Sequence, residues 1–427
     1  MKNKKETLLI LTILITICII IFNRDKLYEA KYTEPKDTLL AITINGEIST
    51  TFPTTKYYET SVECTTGTGK VEWNGTKWVL TTNGITKGST KCNATFITKV
   101  PTFAETILAN NKVKAPITTP GATISTASEA LLASTEDDYG TSYYFRGAVT
   151  NNYVEFANKC WRIVRVGGDG SVKLILHNDN PTGAANPCDA ANNSASAAFA
   201  RYSDTTYKSA FNSSYNDNAY VGFKFGTVGS STYEATHANT NKSTILTNLE
   251  TWYTNNLAAY ESVIDDNVWC NDKTNVTDTS YDPWSITPNG LGYAKNVTYY
   301  GATQRLVNTS GSAGGTGPSL KCNGELSKIN SKVGLITADE LAFAGYASLL
   351  ENTTTYLQEN ATDTYWWSLS PYYFRGGRAF VWYVNGSSGY FGDGYVRDAS
   401  GVRPSISLKS TTNVTGNGTS EDPYIIE

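Results

Sequence analysis

Three kinds of hydrophobic spacing follow one another along the chain. The first is the unbroken apolar run Leu8–Phe22, interrupted only by Thr12 and Thr16 and preceded by Lys2, Lys4 and Lys5. As a helix it spans about 22 Å, short of the ~30 Å hydrocarbon core of a bilayer. The residues that follow, Asn23–Lys26 and Leu27–Ala30, contain no small-x-small cleavage site. The run therefore reads as an uncleaved single-pass anchor, with a cleaved signal peptide as the alternative. Both readings keep residues 1–26 at the membrane side and export the rest to the bacterial cell surface.

The second spacing is the two-residue alternation of β-strands. After a polar stalk at 27–38 it covers 39–99, with runs at Leu39–Ile44, Tyr57–Cys64, Val71–Trp73, Lys77–Leu80 and Lys91–Phe96. Asn74-Gly75 between Trp73 and Trp78 marks a hairpin. This segment is expected to be a small all-β domain. Residues 100–135, with Pro101, Pro116 and Pro120 among Thr, Ser and Ala, read as a linker. Strand alternation resumes in 136–409. Tyr143–Val149 and Tyr153–Phe156 flank a turn at 150–152, and Cys160–Val166 and Val172–His177 flank Gly167–Gly170. The third spacing is helical and occurs twice in this segment. Ser243 or Thr244 caps a run with Ile245, Leu249, Trp252, Tyr253 and Leu257 on one face. A strand at Val333–Ile336 leads into Thr337-Ala338-Asp339-Glu340, a capping box that opens a helix through Ala344. The expected class is α+β, with antiparallel strands and two short helices, followed by a tail at 410–427.

Composition narrows the function. The chain of 427 residues has a net charge of −4, and its 35 Lys and Arg are scattered, so no nucleic-acid partner is expected. Tyr (28) and Gly (35) are abundant while charged residues make up only 17%, a mixture suited to β-structure and polar recognition surfaces. Cys18 lies in the apolar run, leaving an even six, which fits three disulfides in an oxidising compartment. Six cysteines allow fifteen pairings. Proximity favours Cys64–Cys92, and the remaining four are assigned as Cys160–Cys188 and Cys270–Cys322.

Several short elements occur in a telling order: Tyr144-Phe145-Arg146-Gly147, Trp161–Arg165, Trp269–Asp272, Gly334–Glu340, Tyr365–Pro371 and Gly401–Leu408. In this order the region 140–409 resembles the C-type-lectin-like domain of bacterial surface proteins. That fold family also contains formylglycine-generating enzymes and the variable proteins of diversity-generating retroelements. The resemblance implies a domain whose two ends lie together and whose loops carry function. Trp161, Trp366, Trp367 and Trp382 are expected in its core. Arg162, Arg165 and Arg403, set between aliphatic residues, are expected to pair with Asp or Glu as framework guanidiniums.

Little catalytic chemistry is visible. The chain has two histidines, His177 and His237, and no GxSxG, HExxH, P-loop or GxGxxG motif. The reactive cysteine pair of the formylglycine-generating relatives has no residue-by-residue match. No enzyme, cofactor or metal is therefore assigned. Asp265, Asp266, Asn271 and Asp272 are oxygen-rich but form no complete calcium loop. The most informative stretch lies between Tyr365 and Pro404, where Lys, Glu, Gln and Met are all absent. Stiff aromatic rings with Arg, Gly, Ser and Asp are paratope chemistry. Tyr372, Tyr373, Arg375, Arg378, Tyr383, Tyr390, Phe391, Asp393, Tyr395 and Arg397 are the candidate ligand-binding residues. The same residue set is what adenine randomisation of Asn codons reaches, the hallmark of retroelement-diversified targets. The expected function is a membrane-anchored surface protein that binds a protein or glycan ligand. A structural envelope component and a formylglycine-generating-type enzyme are the alternatives.

Overall fold

The computed structural model describes residues 38–426, apart from Lys87 and Asp204. The run Leu8–Phe22 and most of the stalk lie outside the described residues. Among the described residues no helix is long and apolar enough to cross a membrane. The longest, Thr244–Asn256, has 13 residues and spans about 20 Å, with one face polar. No described residue therefore supports the expected single-pass membrane helix or the membrane localisation built on it. The chain divides into two compact units, with the boundary between Pro101 and Thr102.

The first unit is all β. Strands β1 (Thr38–Ile44), β2 (Glu47–Ser49), β3 (Tyr58–Cys64) and β6 (Thr90–Thr98) form a sheet in the order β2-β1-β6-β3, with β1 and β6 parallel. β4 (Thr68–Trp73) and β5 (Trp78–Asn83) form a hairpin whose end pair is Trp73 and Trp78. Its turn is fixed by Asn74, whose Oδ1 accepts from the Thr76 and Lys77 amides, and by Gly75 at φ 99°, a region that favours glycine. Ile42, Val71, Trp78, Ala94 and Phe96 form the small core, with Trp78 edge-on to Phe96 at 5.3 Å. Cys64 and Cys92 are direct cross-strand neighbours and form a disulfide. Closing a loop of this length contributes about 3–4 kcal/mol, substantial for so small a core.

The second unit is built on two larger sheets. The first contains β7 (Ala130–Asp137), β8 (Gly140–Gly147), β9 (Tyr153–Phe156), β10 (Lys159–Val166), β11 (Val172–Asn178), β22 (Ser405–Leu408), β23 (Val414–Thr415) and β24 (Tyr424–Ile426). Its main path is β22-β11-β10-β9-β24-β23, with β8 joining β10 and β7 joining β8. The second runs β12 (Lys208–Ser209), β21 (Ser400–Gly401), β18 (Trp366–Arg375), β19 (Arg378–Val384), β20 (Phe391–Tyr395), with β16 (Thr298–Tyr299) on β18. β13 (Lys224–Phe225) pairs with β14 (Asn241–Lys242), and β15 (Asn267–Cys270) with β17 (Lys328–Ser331). Nine residues of β18 are buried in succession, as a strand covered on both faces requires. Pro371 cannot donate to the ladder, and the β18–β19 register shifts on either side of it.

The class is therefore mostly β, with twenty-four strands and five short helices among the described residues, not α+β with two helices. The helices are α1 (Phe103–Asn110), α2 (Tyr233–Thr236), α3 (Thr244–Asn256), α4 (Gly301–Leu306) and α5 (Ala338–Ala344). α3 and α5 are the expected pair, capped by Ser243 and by the Thr337–Glu340 box. α2 and α4 are too short to show a period. α1 carries a second capping box, Thr102–Glu105, and buries Phe103, Ala104 and Ile107. The stretch 100–135 therefore contributes a helix and most of β7 to this unit, and 410–427 contributes two strands. Val333–Ile336 is no strand; it makes one bridge, Gly334 to Ser405. The remaining cysteines pair as Cys160–Cys188 and Cys270–Cys322. Trp161, Trp366, Trp367 and Trp382 are fully buried.

Candidate functional site

The ten expected ligand-binding residues divide sharply by burial. Tyr372, Tyr373 and Phe391 are only 1%, 2% and 0% exposed, so they are core and offer no binding surface. The Pro371 bulge turns Tyr372 inward, where its ring lies 4.4 Å from Trp382 and stacks on Trp284 at 5.6 Å. Phe391 packs 4.5 Å from Trp382. Tyr373 donates its hydroxyl to Asp393 at 2.9 Å. Burial pushes the Asp393 carboxyl above its ordinary range, and this hydrogen bond opposes the rise.

The other residues reach solvent on two sides of the β18–β19–β20 sheet. On β19, Phe380 and Trp382 alternate with Val381 and Tyr383. Phe380 pairs with Tyr395 and Trp382 with Asp393, so these four share a side. Here Arg375 lies over Tyr373 (4.6 Å), Arg378 over Tyr395 (5.3 Å), and Arg397 over Tyr215 (4.6 Å) and Tyr395 (5.4 Å). The result is a row of three guanidiniums supported on tyrosine rings, with Arg378 and Arg397 exposed. Tyr383 pairs with Gly392 on the opposite side, stacked on Tyr365 at 4.6 Å. Tyr390 lies so close over Gly392 that a Cβ there would fall 2.6 Å from its ring. Tyr215 was not among the expected residues; it stands outside the 365–404 stretch whose composition gave the signal.

A second feature is a cavity of about 260 Å³ beside the Cys270–Cys322 disulfide. Its wall is a network of buried charges. The Glu340 carboxylate accepts from Lys173 Nζ at 2.7 and 2.9 Å, from Arg165 Nε at 3.0 Å and from its own capping-box amide, Thr337. Arg165 also reaches Asp137 at 3.0 Å. Arg305 grips Asp339 with two donors (2.7 and 2.8 Å) and Asp272 with a third (2.7 Å). Burial works to raise the Glu340 carboxyl, but Lys173 and Arg165 overcome it and hold it down at about 2. Burial brings the Lys173 ammonium down to about 8, with Glu340 opposing the fall. Strongly perturbed groups of opposite sign around a cavity are characteristic of functional sites. The capping box foreshadowed Glu340. Arg305, Asp339 and Lys173 carried no local signal, because their partners lie 33 to 167 residues away in sequence.

Elsewhere the polar core is structural. Arg165 takes carboxylates as expected, and Arg162 takes Glu359 at 3.1 Å. Arg403 departs from expectation: it donates to the Leu176 and Leu357 carbonyls and lies over Trp366, with no carboxylate bond. Burial brings it down to about 10. Arg146, buried against Glu129, is a further framework guanidinium. Burial lowers both histidines, His237 to about 3. The four oxygen-rich residues at 265–272 do not converge on one point. Asn271 holds the Phe223 amide and the Leu369 carbonyl, Asp272 holds Arg305, and Asp266 pairs with Lys332. Among the described residues no group of His, Cys, Asp and Glu is placed to hold a metal ion.

In comparison with known proteins, residues 302–410 match the model of DUF6273, described as a domain of unknown function. This match covers α4, α5 and the β18–β22 region. No curated protein and no solved structure matches.

Proposed function

We propose that the second unit is a ligand-binding module working in an oxidising compartment, and that its binding surface is the guanidinium–tyrosine row on β18–β20. The observation that carries this reading is the exposure of Arg378 and Arg397 on supporting tyrosine rings, held by strands whose Tyr373, Trp382 and Phe391 are buried. Arg and Tyr are the residues that dominate hot spots, because they give area and directional donors at low entropic cost. Three disulfides support export. The lectin-like order of motifs in 140–409 supports a binding role, with a protein or a glycan as the partner. The absence of Lys, Glu, Gln and Met between Tyr365 and Pro404 also fits diversification by a retroelement.

The test is a screen of the purified chain against arrays of extracellular proteins and glycans, repeated with Arg378→Ala, Tyr395→Ala and Arg397→Ala combined. Loss of the captured partner is expected, at about 2 kcal/mol or more for each hot-spot residue, with melting nearly unchanged. A partner retained by the triple variant places the binding surface elsewhere.

A further inference from the structure

The charged cavity beside Cys270–Cys322 has features that a purely structural ion-pair network does not need. Each of its buried carboxylates is already held by two or more hydrogen bonds, Asp272 by Arg305 and the Thr274 amide. Asp137 accepts from the Tyr139 and Gly168 amides as well as Arg165, and Asp339 takes the Ser319 amide in addition to Arg305. Its cations are not saturated. Lys173 has three donors and places two hydrogen bonds, both on Glu340, with its ammonium 4.6 Å from the Trp269 ring. Arg165 uses Nε and Nη1 and leaves Nη2 without a protein partner. The wall therefore offers spare donors although its formal charges cancel, five cationic side chains against five carboxylates.

The rim adds a different chemistry. Tyr139, in the β7–β8 turn, lines the cavity and is 60% exposed. Asp138 beside it is exposed, with Oδ2 accepting only the Cys322 amide. A large exposed ring next to free donors and a free acceptor fits a ligand with an apolar face and a polar edge. Zero net charge and four buried carboxylates disfavour an anion. A neutral polyhydroxyl ring accepts from Lys173 and Arg165, donates to Asp138, and lays its C–H face on Tyr139. The volume of about 260 Å³ lies just below the usual range of ligand pockets, about 300–1,000 Å³, and suits one ring better than a chain.

We propose that this cavity is a metal-independent binding site for a single neutral pyranose, with Tyr139 as the stacking platform and Lys173 and Arg165 as hydroxyl-binding donors. The site is separate from the Arg378–Arg397 surface and does not depend on it. The experiment is saturation-transfer NMR on the full chain in the presence of a chelator. The probes are glucose, galactose, mannose and N-acetylglucosamine, with sulfate and glycine measured separately by calorimetry. Transfer to at least one pyranose is expected. It should weaken roughly two- to tenfold in Tyr139→Ala, as expected for one aromatic contact, and be lost in Lys173→Met. Tyr139→Ala and Asp138→Ala change exposed side chains, so the test stands even if the Lys173 variant does not fold. The Arg378/Tyr395/Arg397 variant should retain the transfer. No transfer to any pyranose, transfer indifferent to Tyr139→Ala, or binding confined to sulfate or glycine would overturn the proposal.

Discussion

Replacing Glu340 with Gln separates the charge of the cavity network from its shape. Gln keeps an oxygen for the Thr337 amide, so the capping box at the start of α5 survives, but Lys173 loses both of its hydrogen-bonded oxygens' charge. Two estimates of the cost converge. Removing one partner of a buried pair costs about 3–5 kcal/mol. A carboxyl held at about 2 instead of 4.5 contributes about 3 kcal/mol at neutral pH. For a unit of about 330 residues this lowers Tm by roughly 4–7 °C. The sign with pH follows from the depressed value. The contribution is complete above about 4.5 and is lost as pH falls toward 2, so the acid limb of the stability curve should flatten in the variant. Adding Lys173→Met to Glu340→Gln should recover part of the loss, because it removes the orphaned ammonium. Urea denaturation across pH 2–7 measures all of this. A cost below about 1 kcal/mol, or an acid limb identical to that of the parent, would refute the assignment of Glu340 as the anionic centre of the cavity.

Tyr372→Ala and Phe391→Ala should each cost about 3–5 kcal/mol, while Tyr395→Ala and Arg397→Ala should stay within about 0.5 kcal/mol; thermal melts of the four variants decide this. Gly394→Ala should cost about 1–3 kcal/mol by overpacking, because its Cβ would fall 2.6 Å from Trp367; a neutral result in the same melts would show that Trp367 has room to move. Non-reducing peptide mapping should return the three pairs Cys64–Cys92, Cys160–Cys188 and Cys270–Cys322, and native alkylation should label none of the six. Sequences from separate isolates should vary at 375, 378, 383, 390, 395 and 397 and hold Tyr372, Trp382 and Phe391 fixed; even variation along the chain would remove the diversification reading.

Local signals placed several of the second unit's elements. Ser243 and the Thr337–Glu340 box are caps, whose partners lie three residues away, and they placed α3 and α5. The Gly167–Gly170 turn placed β10 and β11 in the same way. What failed was long-range. The Thr102–Glu105 box is as local as the others, but Pro101, Pro116 and Pro120 around it argued for a linker. Only the tertiary packing of Phe103 and Ile107 shows the segment to be part of the unit. The strand expected at Val333–Ile336 has the right composition but only one bridging partner, and its Gly334 is pressed against the Trp269 ring. The cavity was illegible for the same reason, as its walls come from segments scattered between Asp137 and Ser370.

The 365–404 stretch shows how a compositional signal mixes two causes. The absence of Lys and Glu at Tyr372, Tyr373, Trp382 and Phe391 needs only burial, because no unpaired charge is stable there. Full burial does not account for Arg375, Arg378, Tyr383, Tyr390, Tyr395 and Arg397, all of which reach solvent. Recognition therefore falls to these six positions alone. They are also the positions that the fold presents from rigid strands and Gly-closed turns, on both sides of one sheet. A partner touching only the guanidinium row would leave Tyr383 and Tyr390 without a role, whereas one wrapping the β20 edge would use both sides. Mutating Tyr390 together with Arg397 distinguishes these cases. Additive losses mean a partner that wraps the edge, and a Tyr390→Ala variant with parent affinity confines binding to the guanidinium side.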